Sequence, residues 1–333
     1  YSLSEIYLDK IIMQNELLGS SALEALRALS ARMIGEKRLS IPKRLVSIDD
    51  KQRQILLSEG ILLETAAKNY TFSHQTLVDV LAVEYARDQG QTLSMFMASM
   101  PAVPFIRPTI RYFFFSLYNE DAGLFRKQLR TALAEPNHAF HLKRLLVTSL
   151  AETAPDPSTL PLLRSLFDND ATLFSAFFEK AHPQIWFVFF QQHFLPAWQE
   201  KSNWPWLLHY SEWLCHWKQT PSATLIELWA WLLENAAEDQ TDSTVKTINF
   251  CLESFDDWSH PGLQHVFTLL MQHSSNFIFD LIGKSLSTWV DATDSHDDML
   301  WNFITRNTDD TSHSIGNITL NCEEHVFYDE GFF

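Results

Sequence analysis

From Gly90 to about residue 306 the sequence shows no strand pattern. Apolar residues recur there at helical spacing in segments of about 12–18 residues, broken by short turns rich in Pro, Asn and Asp. The pattern predicts helices over 91–99, 106–118, 121–134, 138–152, 158–166, 170–180, 184–193, 204–218, 222–236, 243–254, 262–272, 275–290 and 297–306. Helices with one apolar stripe must stack on one another to bury it. Paired helices at a spacing of about 35–45 residues point to an α-solenoid of HEAT or tetratricopeptide type. No strict consensus repeat selects between the two. Only 9 of the 333 residues are Gly, which argues against a Gly-rich phosphate-binding architecture and for a helical one.

The first ninety residues read differently. Residues 3–18 carry helical spacing, and Ser20 or Ser21 with Glu24 suggests a capped start for the next helix, which runs to about Ile34. IPKRLVS reads as a short helix with Pro42 in its first turn. Asp49 and Asp50 precede a third helix, KQRQILLSEG, stopped by Gly60. ILLET and NYTFSH then form a small hairpin, and the helical period returns from Gln75 to about Arg87. Three short helices, a two-stranded wing and a further helix make a winged-helix domain. The expected organisation is all-α. It comprises a short helical segment at 1–19, the winged helix at 20–90, helical repeats at 91–306, and an acidic tail or incomplete element at 307–333. The chain begins at Tyr1 inside a helical pattern, so it is expected to be a piece of a longer protein.

Charge and aromatic residues are distributed unevenly. Residues 1–90 hold eleven basic and twelve acidic side chains, residues 91–218 eleven and ten, and residues 219–333 three and nineteen. The formal net charge of −16 therefore comes from the last third, a surface that repels nucleic acid and anionic lipid and attracts a basic partner. The third winged helix offers Lys51 and Arg53 against Asp49, Asp50 and Glu59, a poor set for DNA phosphates. All eleven Trp lie between Trp186 and Trp301. In WPWLLHYSEWLCHW the apolar side chains cover nearly the whole circumference of a helix, which means burial between neighbours or a partner. Solenoid faces bind proteins, and protein interfaces favour Trp. Trp204, Trp206, Trp213, Trp217, Trp229 and Trp231 are therefore candidate partner-binding residues, with at least two expected to be largely exposed.

Other chemistry is thinly represented. The three cysteines, Cys215, Cys251 and Cys322, form no CxxC motif or disulfide framework, which fits a reducing cytoplasm. The longest strictly apolar runs, such as Ile185–Phe190, are far short of the ~18–20 residues of a membrane span. His138 with His141, His209 and His216 beside Cys215, and Cys322 with His325 are each incomplete as metal sites. No Walker A sequence occurs, and Asp49 and Asp50 in RLVSIDD fit helix caps better than a Walker B strand. No catalytic residues are assigned.

The segment YTFSHQTLVDVLAVEYA, 70–86, reduces to Phe72-x-His74-x-Thr76-x-x-Asp79-x-x-Ala82 at the end of a wing strand and the start of a helix. This resembles the winged helix of NACHT-type STAND NTPases. SALEALRALSARMI resembles the first winged-helix helix of that family. ILLSEGILLET resembles its third helix and first wing strand, and YSLSEIYLDKII the end of the preceding helical domain. The resemblance covers about residues 1–90. It departs at Val80, where many relatives carry an aromatic.

The resemblance implies that His74 contacts the β-phosphate of ATP or ADP, bound with Mg in the NTPase module of the full-length protein, and helps latch a closed state. It further implies a bacterial sensor protein in which the repeats recognise a ligand, the winged helix is released, and protomers oligomerise to switch on an effector. Relatives with long helical sensors look like antiviral proteins that recognise phage structural or packaging proteins. Two alternatives stay open: a STAND transcription regulator whose solenoid binds a small inducer, and a structural helical-repeat scaffold.

Overall fold

The computed structural model describes residues 8–101, 103–255, 257 and 260–273. The helices expected at 275–290 and 297–306, the segment 307–333, and Cys322 with His325 lie outside the described residues. The chain is all-α apart from one small sheet, and it divides between Ala181 and His182 into two compact units.

The N-terminal unit opens with a π-helical turn, Asp9–Met13, followed by helix α1, Gly19–Gly35. Ala22, Leu26 and Met33 give α1 a fully buried stripe. The expected serine cap is absent. The helix starts one residue before Ser20, so Ser21 already lies inside it, and its hydroxyl accepts from Gln52 Nε2 at 2.9 Å. Strand β1, Ser40–Pro42, and a 3-10 turn, Lys43–Leu45, replace the short helix expected at IPKRLVS. Helix α2, Asp50–Ser58, is capped by the Asp49 carboxylate, which accepts from the amides of Lys51 and Gln52 at 2.8 and 2.9 Å. Gly60 leaves α2 with φ +68, a conformation that favours glycine.

Strands β2, Leu62–Glu64, and β3, Asn69–Phe72, form the expected hairpin. β1 adds to its other side, giving the antiparallel order β1-β3-β2 with Ile41 opposite Tyr70 and Leu63 opposite Thr71. A three-residue strand is too short to show alternation. Pro42 is tolerated because β1 is an edge strand. Helix α3, Gln75–Asp88, closes the winged helix and packs on α1.

Helical repeats follow in the same unit: α4 Leu93–Ser99, α5 Arg107–Glu120, α6 Ala122–Ala134, α7 Phe140–Ala151, α8 Leu160–Asn169 and α9 Ala171–Lys180. Helix α5 packs on α3, α6 and α7, and α9 on α7 and α8. Contact with the next helix and the next but one is the signature of stacked helical repeats. The polar turns do capping work. Thr92 accepts from Met95 N, Asp121 from Gly123 N and Leu124 N, and Asp170 from Leu173 N. Proline enters the first turn of α5 and α8, where its missing N–H costs nothing.

The C-terminal unit repeats this plan with α10 Pro183–His193, α11 Leu195–Glu200, α12 Trp204–Cys215, α13 Ser222–Asn235, α14 Glu238–Leu252 and α15 Leu263–His273. Here α12 packs on α10, α13 and α14, and α13 on α15. Helix α11 has six residues and no readable period, so the sequence did not announce it. Helix α14 begins five residues before the expected 243, because its first turns, EDQTD, are polar and face solvent.

Candidate functional site

The wing and α3 meet at His74. Ser73 N donates to Ile61 O at 3.0 Å, which fastens the end of β3 to the start of β2. His74 then occupies the N-cap position of α3 in extended backbone. Its carbonyl accepts from Leu77 N at 3.1 Å, but its side chain makes no capping bond. His74, Gln75 and Thr76 are all exposed. The helix N-terminus thus faces solvent beside an imidazole and a hydroxyl. Amides at a helix start carry partial positive charge and suit an anionic group.

One turn further on, the chemistry reverses. Leu77, Val78, Val80, Leu81, Ala82 and Val83 are buried, and Val80 is wholly so. Asp79 is buried among them, 6% exposed, and accepts from Thr109 Oγ1 of α5 at 2.5 Å. Burial pushes its carboxyl up from 3.8 to about 6, and the Thr109 bond opposes only part of that rise. The three polar positions of Phe72-x-His74-x-Thr76-x-x-Asp79 therefore differ in role. His74 and Thr76 face outward, while Asp79 joins α3 to the first long repeat helix.

At the far end of α3, Arg87 donates to Ser116 Oγ at 2.6 Å and pairs with Glu120, both on α5. That hydrogen bond holds Glu120 below the usual carboxylate range. On the other side, Arg27 of α1 reaches Glu84 at 2.9 Å and Asp88 at 2.8 Å. Helix α3 is thus tied at two points along its length to α5, the first long repeat helix. On α2, Arg53 is engaged by Asp50, which takes a cation away from any phosphate backbone.

The six tryptophans divide into two groups, and the expected exposure is corrected. Trp204, Trp213 and Trp229 are buried; Trp206, Trp217 and Trp231 are half-buried, and none of the six is fully exposed. Trp204 Nε1 donates to Thr244 Oγ1 and Trp229 Nε1 to Ser211 Oγ, each at 2.8 Å. These indoles bring their own polar partners into the stack, so α12, α13 and α14 consume them as core. The half-buried rings lie on buried or neighbouring aromatics: Trp206 on Trp198 at 5.9 Å, Trp231 on Trp204 at 5.9 Å, and Trp217 beside Phe187 at 5.8 Å.

Next to Trp217 the surface continues through His216, whose ring meets exposed Phe250 edge-on at 5.9 Å. Ile185 and Val188, one turn apart on α10, are exposed as well. Sequence reasoning passed over Phe250, Ile185 and Val188. Each sits in a segment apolar enough to read as core, and only the packing shows which side faces out. Glu212 on α12 and Glu253 just beyond α14 add negative charge nearby in the chain.

Of the incomplete metal motifs, His138 and His209 are engaged in ordinary contacts, while His141 Nε2 is buried without a hydrogen-bond partner. His138 is largely buried and shares a hydrogen bond with Ser94 Oγ at 3.0 Å. His209 approaches Glu212 at 4.0 Å. Among the described residues no group of three or more His, Cys, Asp or Glu side chains is placed to hold a metal ion. None of the described helices is long and apolar enough to cross a membrane. Comparison of the chain with protein-family models, curated proteins and solved structures finds no match. What is defined is a class of architecture: a winged helix leading into stacked helical repeats.

Proposed function

We propose that this chain is the winged-helix and sensor part of a STAND NTPase, in which His74 contacts nucleotide phosphate and the repeats recognise a protein. The observation that carries the nucleotide part is the wing-to-helix junction. A histidine that does not cap its own helix stands exposed at an uncapped helix start, where an imidazole N–H and backbone amides can converge on one phosphate. The nucleotide and Mg belong to an NTPase module elsewhere in the full-length protein. The double tie between α3 and α5 supplies a route by which strain on the repeats reaches the junction. Ligand engagement then frees His74, and protomers self-associate. The biological role proposed is bacterial antiviral defence, with a phage structural or packaging protein as ligand.

In the full-length protein, His74→Ala is expected to loosen the resting state. Losing one charge-assisted hydrogen bond of about 1.5–3 kcal/mol shifts a two-state latch roughly tenfold or more. Basal effector activity rises, or co-purifying nucleotide falls. Unchanged nucleotide occupancy together with unchanged basal activity removes His74 from this role.

The partner surface is proposed to centre on Trp217 with Phe187, His216 and Phe250. Trp217→Ala should weaken ligand-triggered activity by about tenfold or more, as expected of an aromatic hot spot. Because the ring is only half-buried, its loss should cost about 1 kcal/mol or less of folding stability. A full response to ligand from the well-folded variant places the binding face elsewhere on the repeats.

A further inference from the structure

Far apart in sequence, Cys215 and Cys251 meet inside the C-terminal unit. Cys215 is the last residue of α12 and Cys251 stands in the last turn of α14, and these helices pack directly on each other. Cys215 Sγ lies 3.0 Å from the Cys251 carbonyl oxygen and 2.8 Å from Ser254 Oγ. Ser211 Oγ lies 3.7 Å from Cys251 Sγ. Cys251 is wholly buried, while Cys215 keeps 8% of its surface open beside exposed His216.

We propose that Cys215 and Cys251 form a redox-reactive dithiol that hydrogen peroxide converts into an intrachain disulfide joining the ends of α12 and α14. The two thiols are unequal, as such a pair requires. Hydrogen bonding from Cys251 is the main influence lowering the Cys215 thiol below its usual range, and Ser254 adds to it against the effect of burial. The same bond, with burial, raises Cys251. Cys215, which alone of the pair keeps surface open to an oxidant, is the attacking sulfur and Cys251 the resolving one.

In the first step Cys215 thiolate attacks one peroxide oxygen. An S–O bond forms, the O–O bond breaks, and hydroxide leaves and takes up a proton as water. In the second step Cys251 sulfur attacks the Cys215 sulfenic acid. The S–S bond forms, the S–O bond breaks, and the oxygen departs as water carrying the Cys251 proton. Two electrons pass from the thiols to one peroxide, giving two waters. In a reducing compartment the dithiol is the resting form and the disulfide a transient response to oxidant. Its product is a clamp at the end of α12, next in the chain to His216 and Trp217, and this holds whatever that aromatic surface binds.

The test uses the whole chain. The reduced protein is treated with hydrogen peroxide, remaining thiols are alkylated, and peptides are mapped without reduction. The expected result is a linked peptide containing Cys215 and Cys251, joint loss of alkylation at both, and reversal by dithiothreitol. The linked protein should melt about 5–10 °C higher, as for a disulfide closing a loop of this length. Cys322→Ser should leave the linkage in place, and Cys215→Ser should abolish it. Continued alkylation of both residues, sulfinic acid at Cys215 without a linkage, or a bridge to Cys322 overturns the proposal. The mapping of the unsubstituted chain decides the matter even where a variant folds poorly.

Discussion

Trp229→Ala is expected to destabilise the C-terminal unit by about 3–5 kcal/mol, the range for removing a wholly buried large aromatic. The ring is fully inaccessible on α13, meets Phe255 edge-to-face at 5.3 Å, and donates its indole N–H to Ser211 on α12. Truncation leaves a cavity between helices that packing holds apart, and it leaves the buried Ser211 hydroxyl with only its weak contact to Cys251 Sγ at 3.7 Å. Trp229→Phe keeps most of the ring and loses the donor, so it should cost about 1–2 kcal/mol. Urea denaturation followed by far-ultraviolet circular dichroism measures both. A loss under about 1 kcal/mol for the alanine variant would falsify the assignment of this tryptophan to the core. The result also separates Trp229 from Trp217, which was selected by the same sequence pattern and faces the surface.

Asp79→Asn is expected to stabilise the N-terminal unit at neutral pH. An asparagine carbonyl still accepts from Thr109, and the buried negative charge is gone. The sign follows from the proton count. The carboxyl titrates near 3.8 when unfolded and at about 6 when folded, so between those values the folded state binds more protons. Stability contributed by this residue therefore falls as pH rises from about 4 to 6, and above 6 the whole cost is present. A shift of about two units corresponds to roughly 2–3 kcal/mol at pH 7. The difference between variant and wild type should vanish below pH 4, where both side chains are neutral. Chemical denaturation at pH 4 and pH 7, with hydrogen exchange at α3 amides, reports it. A variant no more stable than the wild type at pH 7 contradicts a buried, uncompensated carboxylate.

The Asp79 result bears on how the motif is understood. Its polar residues are equivalent in sequence, each being a hydrophilic side chain at a helix start. They part company because α3 carries one face against α1 and another against α5, and a residue one turn in cannot avoid α5. The cysteines' separation and odd number argue against a disulfide framework, and stacking of α12 on α14 nevertheless sets the Cys215 sulfur against Cys251, 3.0 Å from its carbonyl oxygen.

Much of the architecture was legible from periodicity. The helix expected at 121–134 is found at Ala122–Ala134, and that at 222–236 is found at Ser222–Asn235. Such segments bury one stripe and leave the other wet, so their pattern carries its own spacing. Asp49 was recognisable as a cap because its carboxylate bonds amides two and three residues on, a contact contained within the local chain. Strand β1 and helix α11 were not legible. Three and six residues hold too few turns of any period, and both elements exist because neighbours distant in sequence stabilise them.

The sequence by itself determined that the chain is helical, that a winged helix precedes the repeats, where most helices begin and end, and that negative charge gathers toward the end. These properties depend on residues within a few positions of each other, or on simple counts. Only the tertiary structure decided that Trp204, Trp213 and Trp229 are core while Trp217 and Phe250 reach the surface. It also decided that Asp79 faces inward while His74 faces outward, and that Cys215 meets Cys251. A helix apolar on all sides carries no mark of which side a neighbour will cover. That choice belongs to the packing of whole helices, where burial, indole hydrogen bonds and thiol contacts are settled together.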